Sequence, residues 1–311
     1  MTTVLVTGGS GFIAGHCISL LVERGYDVRA TVRSLDRAPT LDGVTFVAAD
    51  LLSDDGWADA VRGCDYVLHV ASPVAPGHVE NEDDLIVPAR EGTLRVLRAA
   101  RDAGVRRVVL TSAFHAVGWG HPHDDHVFTE DDWTVLDGPG TDAYGRSKTL
   151  AERAAWDFDR GSMELTTILP VAVMGPARGG AVSGANHIVQ SILSGAMPGF
   201  PDLWIPIVDV RDVASAHVAA MTAEGAAGQR FLVADGPAIP MAEIGAILRR
   251  HLGSAADKVP TRVLADDEVP PAMRADLGYA RRVSSEKARR VLGWTPRSAE
   301  EAIVAAGESM V

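Results

Sequence analysis

A chain of 311 residues is long for one core and short for two independent domains, so one large domain with an appended lobe is the expectation. Lys and Arg number 29 against 41 Asp and Glu, and the formal charge of −12 argues against nucleic acid or an anionic membrane as the main partner. The two cysteines, Cys17 and Cys64, make no metal motif, and no apolar run approaches the roughly 20 residues of a membrane span, so a cytoplasmic protein with free thiols is expected.

The opening residues Met1 to Val6 read as a strand rather than a secretion signal. Val4–Val6 is followed by glycines and an apolar-periodic helix, Ile13 to Arg24. Strands follow at Asp27–Val32, Thr45–Ala48 and Tyr66–Val70, then a helix from Gly92 to Ala103 and a strand at Val108–Thr111. Tyr144–Trp156 reads as a helix and Leu165–Leu169 as a sixth strand. Continuous apolar strands separated by helices predict an α/β fold, a doubly wound parallel sheet covered on both faces. After Pro170 the chain is rich in loops, with a helical stretch from Ala185 to Leu193. Val208–Met221 and Arg230–Ala234 read as a return to the sheet, and Met241–His251 and Ser285–Leu292 as late helices. The expected division is a nucleotide-binding domain over 1–170, rejoined by 205–235, with a smaller split C-terminal lobe from 171–204 and 236–311.

Three motifs carry chemistry. Thr7-Gly-Gly-Ser-Gly-Phe-Ile-Ala14 follows a strand and opens a helix, the context of a dinucleotide site. Gly8 permits the sharp turn, Gly11 lets a pyrophosphate approach the backbone, and the helix N-terminus offers free N–H groups. Thr7, Gly8, Ser10, Gly11, Phe12 and Ile13 are the candidate contacts. At the end of the second strand, Arg33 and then Arg37 stand where an NAD site usually has an acid, and a guanidinium suits the 2′-phosphate of NADPH. Asp27 lies too early in that strand to bind a ribose. In Tyr144-Gly-Arg-Ser-Lys148 the phenol and ammonium share a helix face, and the ammonium is expected to lower the tyrosine pKa toward the working range.

Thr7–Ile13, Tyr144-x-x-x-Lys148 and Leu292-Gly-Trp294 together resemble the extended short-chain dehydrogenase/reductase family. Gly25–Arg33, Ser147–Trp156 and Asp209–His217 are similar to its dihydroflavonol-reductase, cinnamoyl-CoA-reductase and aldehyde-reductase branch. The likeness covers essentially the whole chain. It implies a Rossmann fold and hydride transfer to a carbonyl carbon, with Tyr144 as general acid and Lys148 anchoring the nicotinamide ribose. By position it also implies Asp50 and Leu51 at the adenine, Ala71 and Ser72 at the ribose and phosphates, and Pro170 and Val173 at the nicotinamide. Thr111 is a further candidate cofactor contact at the end of the fifth strand.

The sequence departs from the branch at one catalytic position. The fifth strand of the branch ends Thr-Ser-Ser, whereas this chain reads Thr111-Ser112-Ala113. Three readings stay open: His115 donates the missing hydrogen bond, Ser112 does so after a small shift, or the chain is a catalytically weak cofactor binder. His115 packing on Trp119 as an ordinary loop histidine is a plainer reading beside these.

Other features promise less. His121-Pro-His123-Asp-Asp-His126 lacks the scaffold of a zinc site, and His69 reads as a satisfied core histidine. Val74, Trp119, Met174, Met197, Phe200 and Trp204 are candidate pocket liners, while Arg178 and Arg281 are the basic candidates for a sugar-nucleotide diphosphate. The expectation is an NADPH-dependent reductase of a small, largely apolar aldehyde or ketone, a monomer or homodimer without metal. The alternatives are a nucleotide-sugar epimerase or dehydratase holding NAD tightly, or a cofactor-sensing binding protein.

Overall fold

The computed structural model describes residues 1–73, 79–178 and 182–311. Strands β1 (Thr3–Val6), β2 (Asp27–Val32), β3 (Val44–Ala48), β4 (Tyr66–His69), β5 (Arg107–Thr111), β6 (Glu164–Pro170) and β7 (Arg230–Val233) build one parallel sheet ordered 3-2-1-4-5-6-7. The order reverses between β1 and β4, which opens a crevice at their C-terminal ends. The helices are α1 (Phe12–Glu23), α2 (Trp57–Val61), α3 (Asp83–Asp102), α4 (Ala143–Asp157), α5 (Asn186–Leu193), α6 (Val210–Thr222), α7 (Met241–Leu252), α8 (Glu286–Leu292) and α9 (Ala299–Glu308).

Period-two alternation splits the strand side chains between two cores. Val4, Val6, Leu68 and Val109 face α1, α6 and Ala288 of α8, whereas Leu5, Val67, Val108 and Leu110 face α2, α3 and α4. A third apolar cluster joins Val189 and Ile192 of α5, Ile244 and Leu248 of α7, and Ile303 of α9. The Leu-Gly-Trp motif is a tie between segments. Gly293 ends α8 in the left-handed region, and Trp294 Nε1 then donates to the Asp212 carbonyl in the first turn of α6 at 2.8 Å.

Two expected elements differ. The stretch from Val208 is not a sheet strand: Ile207–Asp209 pairs with Ala172–Met174 in a separate two-stranded ladder, and the chain then enters α6. Val210, Val213, Ala214, His217, Ala220 and Met221 recur at helical spacing on its buried face. Helix α3 begins at Asp83, well before Gly92, and passes through Pro88. Acidic residues in its first turn and a buried face of Leu85, Ile86 and Ala89 outweigh the hydrogen bond that the proline removes.

Candidate active site

The glycine turn after β1 is built by contacts that tolerate no bulk. Gly8 lies at φ 71°, and a Cβ there would stand 3.0 Å from the Ala71 Cβ. Thr7 Oγ1 accepts from the Ala71 N–H at 2.9 Å and meets His69 Nδ1 at 2.9 Å, while Gly8 N–H donates to Thr31 Oγ1. Thr7 Oγ1 and His69 Nδ1 thus share one hydrogen bond, whose donor depends on the imidazole tautomer, and the other ring nitrogen is Nε2. That Nε2 has no hydrogen-bond partner among the described residues, so His69 is only half satisfied, contrary to expectation. Gly11 caps α1 and no side chain does, which leaves the N–H groups of Phe12 and Ile13 open to an anion; Ser10 is exposed beside them.

Arg33 directly follows β2, Arg37 ends the next turn, and both are exposed with no ion pair among the described residues. Asp50 and Leu51 follow β3. Asp50 closes a turn on Leu52 N–H, and Leu51 packs against Gly92 of α3. Pro170 ends β6 and Val173 lies half-buried in the short ladder beyond it.

Asp142 caps α4 by accepting from Gly145 N–H at 2.7 Å, and the first turns of that helix carry Tyr144 and Lys148. The Lys148 ammonium stands 5.6 Å from the Tyr144 ring centre and donates to Ser72 Oγ at 3.0 Å. Burial brings the lysine down to about 8, opposed by the charge of Glu152. Burial, aided by Asp142, pushes the Tyr144 phenol up to about 12. The lowering expected from the ammonium is not found, because burial and the Asp142 charge both disfavour the phenolate.

The turn after β5 places the remaining candidates. Ala113 is buried and His115 follows on a short 3₁₀ turn. The His115 ring stacks on Trp119 at 3.8 Å and meets the Tyr144 ring edge-on at 4.8 Å. Burial lowers its pKa to about 4, so the imidazole is neutral. Ser112 instead donates to Glu152 Oε2 at 2.7 Å, on the sheet face toward α4. Thr111 turns to the opposite face. His217 Nδ1 donates to the Val213 carbonyl, so His217 Nε2 accepts from Thr111 Oγ1 at 2.7 Å.

The expected pocket wall is only partly found. Met174 and Phe200 are buried in the third apolar cluster, where Phe200 packs on Gly245. Trp119 has His115 on one face and the Arg281 guanidinium 4.7 Å from its ring centre. Met197 and Trp204 are half-buried, and Val74 lies outside the described residues. Arg178 donates to Gly15 and Ser19 of α1, while Arg281 is taken by the Gly118 carbonyl and Asp276. The loop histidines also have partners: His121 the carbonyls of Val117 and Trp133, His123 the ring of Tyr279, and His126 the carboxylate of Asp132. Glu152, Arg230 and His217 were not anticipated. The one signal for Glu152 was its place one helical turn beyond Lys148.

Residues 4–234 match the model of the NAD dependent epimerase/dehydratase family. A cinnamoyl-CoA reductase of Medicago truncatula is 36% identical over 252 residues, 74% of this chain and 75% of that protein. An anthocyanidin reductase of Vitis vinifera is 32% identical over 263 residues, covering 76% and 78%. The crystal structure of yeast methylglyoxal/isovaleraldehyde reductase Gre2 with NADPH superposes with a TM-score of 0.83 at 26% identity, over 99% of this chain and 98% of that one. The chain belongs to the NAD dependent epimerase/dehydratase family, the extended short-chain dehydrogenases/reductases, within its reductase branch.

Proposed function

We propose that the protein is an NADPH-dependent reductase of a small, largely apolar aldehyde or ketone. One observation carries the reading: Ala71 and Ser72, adjacent in sequence, join the two halves of the site. Ala71 holds the glycine turn through Thr7 and Gly8, and Ser72 receives the Lys148 ammonium. The residues fit the cofactor. The close approach of Gly8 to Ala71 and the uncapped start of α1 suit a pyrophosphate, and Arg33 and Arg37 are free to take a 2′-phosphate. Asp50 and Leu51 flank the adenine side, Thr111, Pro170 and Val173 the nicotinamide side, and Lys148 the ribose.

NADPH, when bound, supplies the hydride. Tyr144 keeps its proton at every pH near neutrality and donates it to the carbonyl oxygen, and the Lys148 ammonium stabilises the phenolate that results. His115 takes the place of the missing hydroxyl, because Ser112 is committed to Glu152 and the neutral imidazole lies against Tyr144. Residues 1–170 with 205–235 form the nucleotide-binding part, and 171–204 with 236–311 the substrate lobe, whose α8 packs beneath the sheet. The two cysteines are buried free thiols, which fits a reducing cytoplasm.

The test is the fate of the hydrogen. With NADPH deuterated at the transferring carbon, the alcohol product is expected to carry one deuterium on the former carbonyl carbon. An unlabelled product, or NAD(H) found tightly held in the purified protein, supports the epimerase or dehydratase alternative instead.

A further inference from the structure

Behind Lys148 lies a carboxylate that the reaction above does not use. Glu152 stands one helical turn beyond Lys148 on α4 and is 1% exposed. Its Oε1 accepts from Thr167 Oγ1 at 2.8 Å, Arg230 Nε at 2.9 Å and Trp156 Nε1 at 3.2 Å. Its Oε2 accepts from Ser112 Oγ at 2.7 Å and Arg230 Nη2 at 3.2 Å. The donors come from α4, β6, β7 and the turn after β5, so four separate segments hold the carboxylate. Stability alone gives little reason for such a group, since a buried ion pair is often no better than apolar residues of equal volume.

The surroundings supply a reason. Lys148 and Glu152 both line a cavity of about 10 Å³, together with Ser72, Thr93 and Ser112 among others. That is about the size of a single water. The titratable groups facing Lys148 are Tyr144 and Glu152 on α4, His69 on β4 and His115 after β5, and both histidines are held neutral. Glu152 is the one anion among them. Arg230 lies on its far side and stacks over Trp133 at 3.7 Å.

We propose that Glu152 is a positioning residue for Lys148: its pinned carboxylate supplies the fixed negative charge that keeps the ammonium seated between Ser72 and Tyr144. The proposal rests on the reading of Lys148 as the partner of Tyr144. It also explains the orientation of Ser112, whose hydroxyl locks the carboxylate instead of facing substrate. Burial works against the ammonium, and Glu152 opposes that effect.

The chain contains three lysines, Lys148, Lys258 and Lys287, so lysine labelled with ¹³C at Cε yields few signals, and loss of one in Lys148→Met assigns it. Its titration is then followed directly, apart from any turnover. Glu152→Gln leaves Arg230 without its partner, so Glu152→Gln/Arg230→Met, which removes both charges at similar volume, is measured beside it. In both variants the Lys148 midpoint is expected to fall by about one pH unit, the scale of a nearby opposite charge. The alkaline limb of kcat/KM with NADPH moves with it, and rates recover toward wild type at lower pH. A Lys148 midpoint unchanged in folded variants overturns the proposal and leaves Glu152 a structural pin. A midpoint that moves in a protein reducing no carbonyl supports the positioning role while removing the reductase reading.

Discussion

Ala113 and His115 stand two residues apart on one turn, where the proposed mechanism needs a donor to the carbonyl oxygen. Losing one preorganised donor to a developing oxyanion costs about 10²–10³ in rate. If His115 supplies that donor, His115→Ala lowers kcat by about 10² and leaves NADPH affinity unchanged, and adding Ala113→Ser recovers part of the loss. Steady-state rates with cofactor titrations check both; full turnover in His115→Ala assigns the ring to packing on Trp119. The Gly8 turn and the shared helix of Tyr144 and Lys148 were legible in the sequence because each depends on near neighbours. The engagement of Ser112 was not, since its acceptor Glu152 is held by Arg230, 78 residues further along. The phenol pKa was hidden for a related reason: spacing shows the ammonium beside Tyr144 but not the burial that outweighs it.

Among the elements, those with strong apolar periodicity were readable, and the parallel sheet followed from them. Helix α3 hid its first turns behind Pro88, and α6 was obscured because Val208 and Val210 belong to a short ladder and a helix in turn. The Leu-Gly-Trp motif was visible, but its partner in α6 was not. Trp294 is 4% exposed, and its N–H meets a carbonyl 82 residues earlier in the chain. Trp294→Phe removes one donor to that carbonyl and leaves the Ser215 hydroxyl on it, so the cost is that of one hydrogen bond, about 0.5–1.5 kcal/mol. Thermal unfolding is expected a few degrees lower with NADPH affinity retained. An unchanged Tm would mean that this hydrogen bond contributes nothing to holding α8 in place.

For the whole molecule, three histidines with lowered pKa values shape the response to acid. Burial lowers His217 and His115 to about 4 and His69 to about 3. Unfolding frees each to take up a proton near its ordinary value of about 6.5. The unfolded state therefore binds more protons below that pH, so the stability contribution is complete above about 6.5 and is lost as pH falls toward 4. Glu130 and Asp212, raised by burial, act in the opposite sense. Tm is expected to fall as pH drops below about 6.5, and less steeply in His217→Gln, although that variant starts lower at pH 7.5. Parallel curves for the two proteins would remove His217 from the account.

The most direct measurement is the initial rate of NADPH oxidation against a panel of aromatic and aliphatic aldehydes and ketones, with NADH as the comparison and Tyr144→Phe beside the wild type. The expected result is turnover that prefers NADPH, through Arg33 and Arg37, and that falls at least 10²-fold without the phenol, the low end of a positioned proton donor's contribution. Turnover of equal speed in Tyr144→Phe, or NADPH binding with no carbonyl reduced, would contradict it.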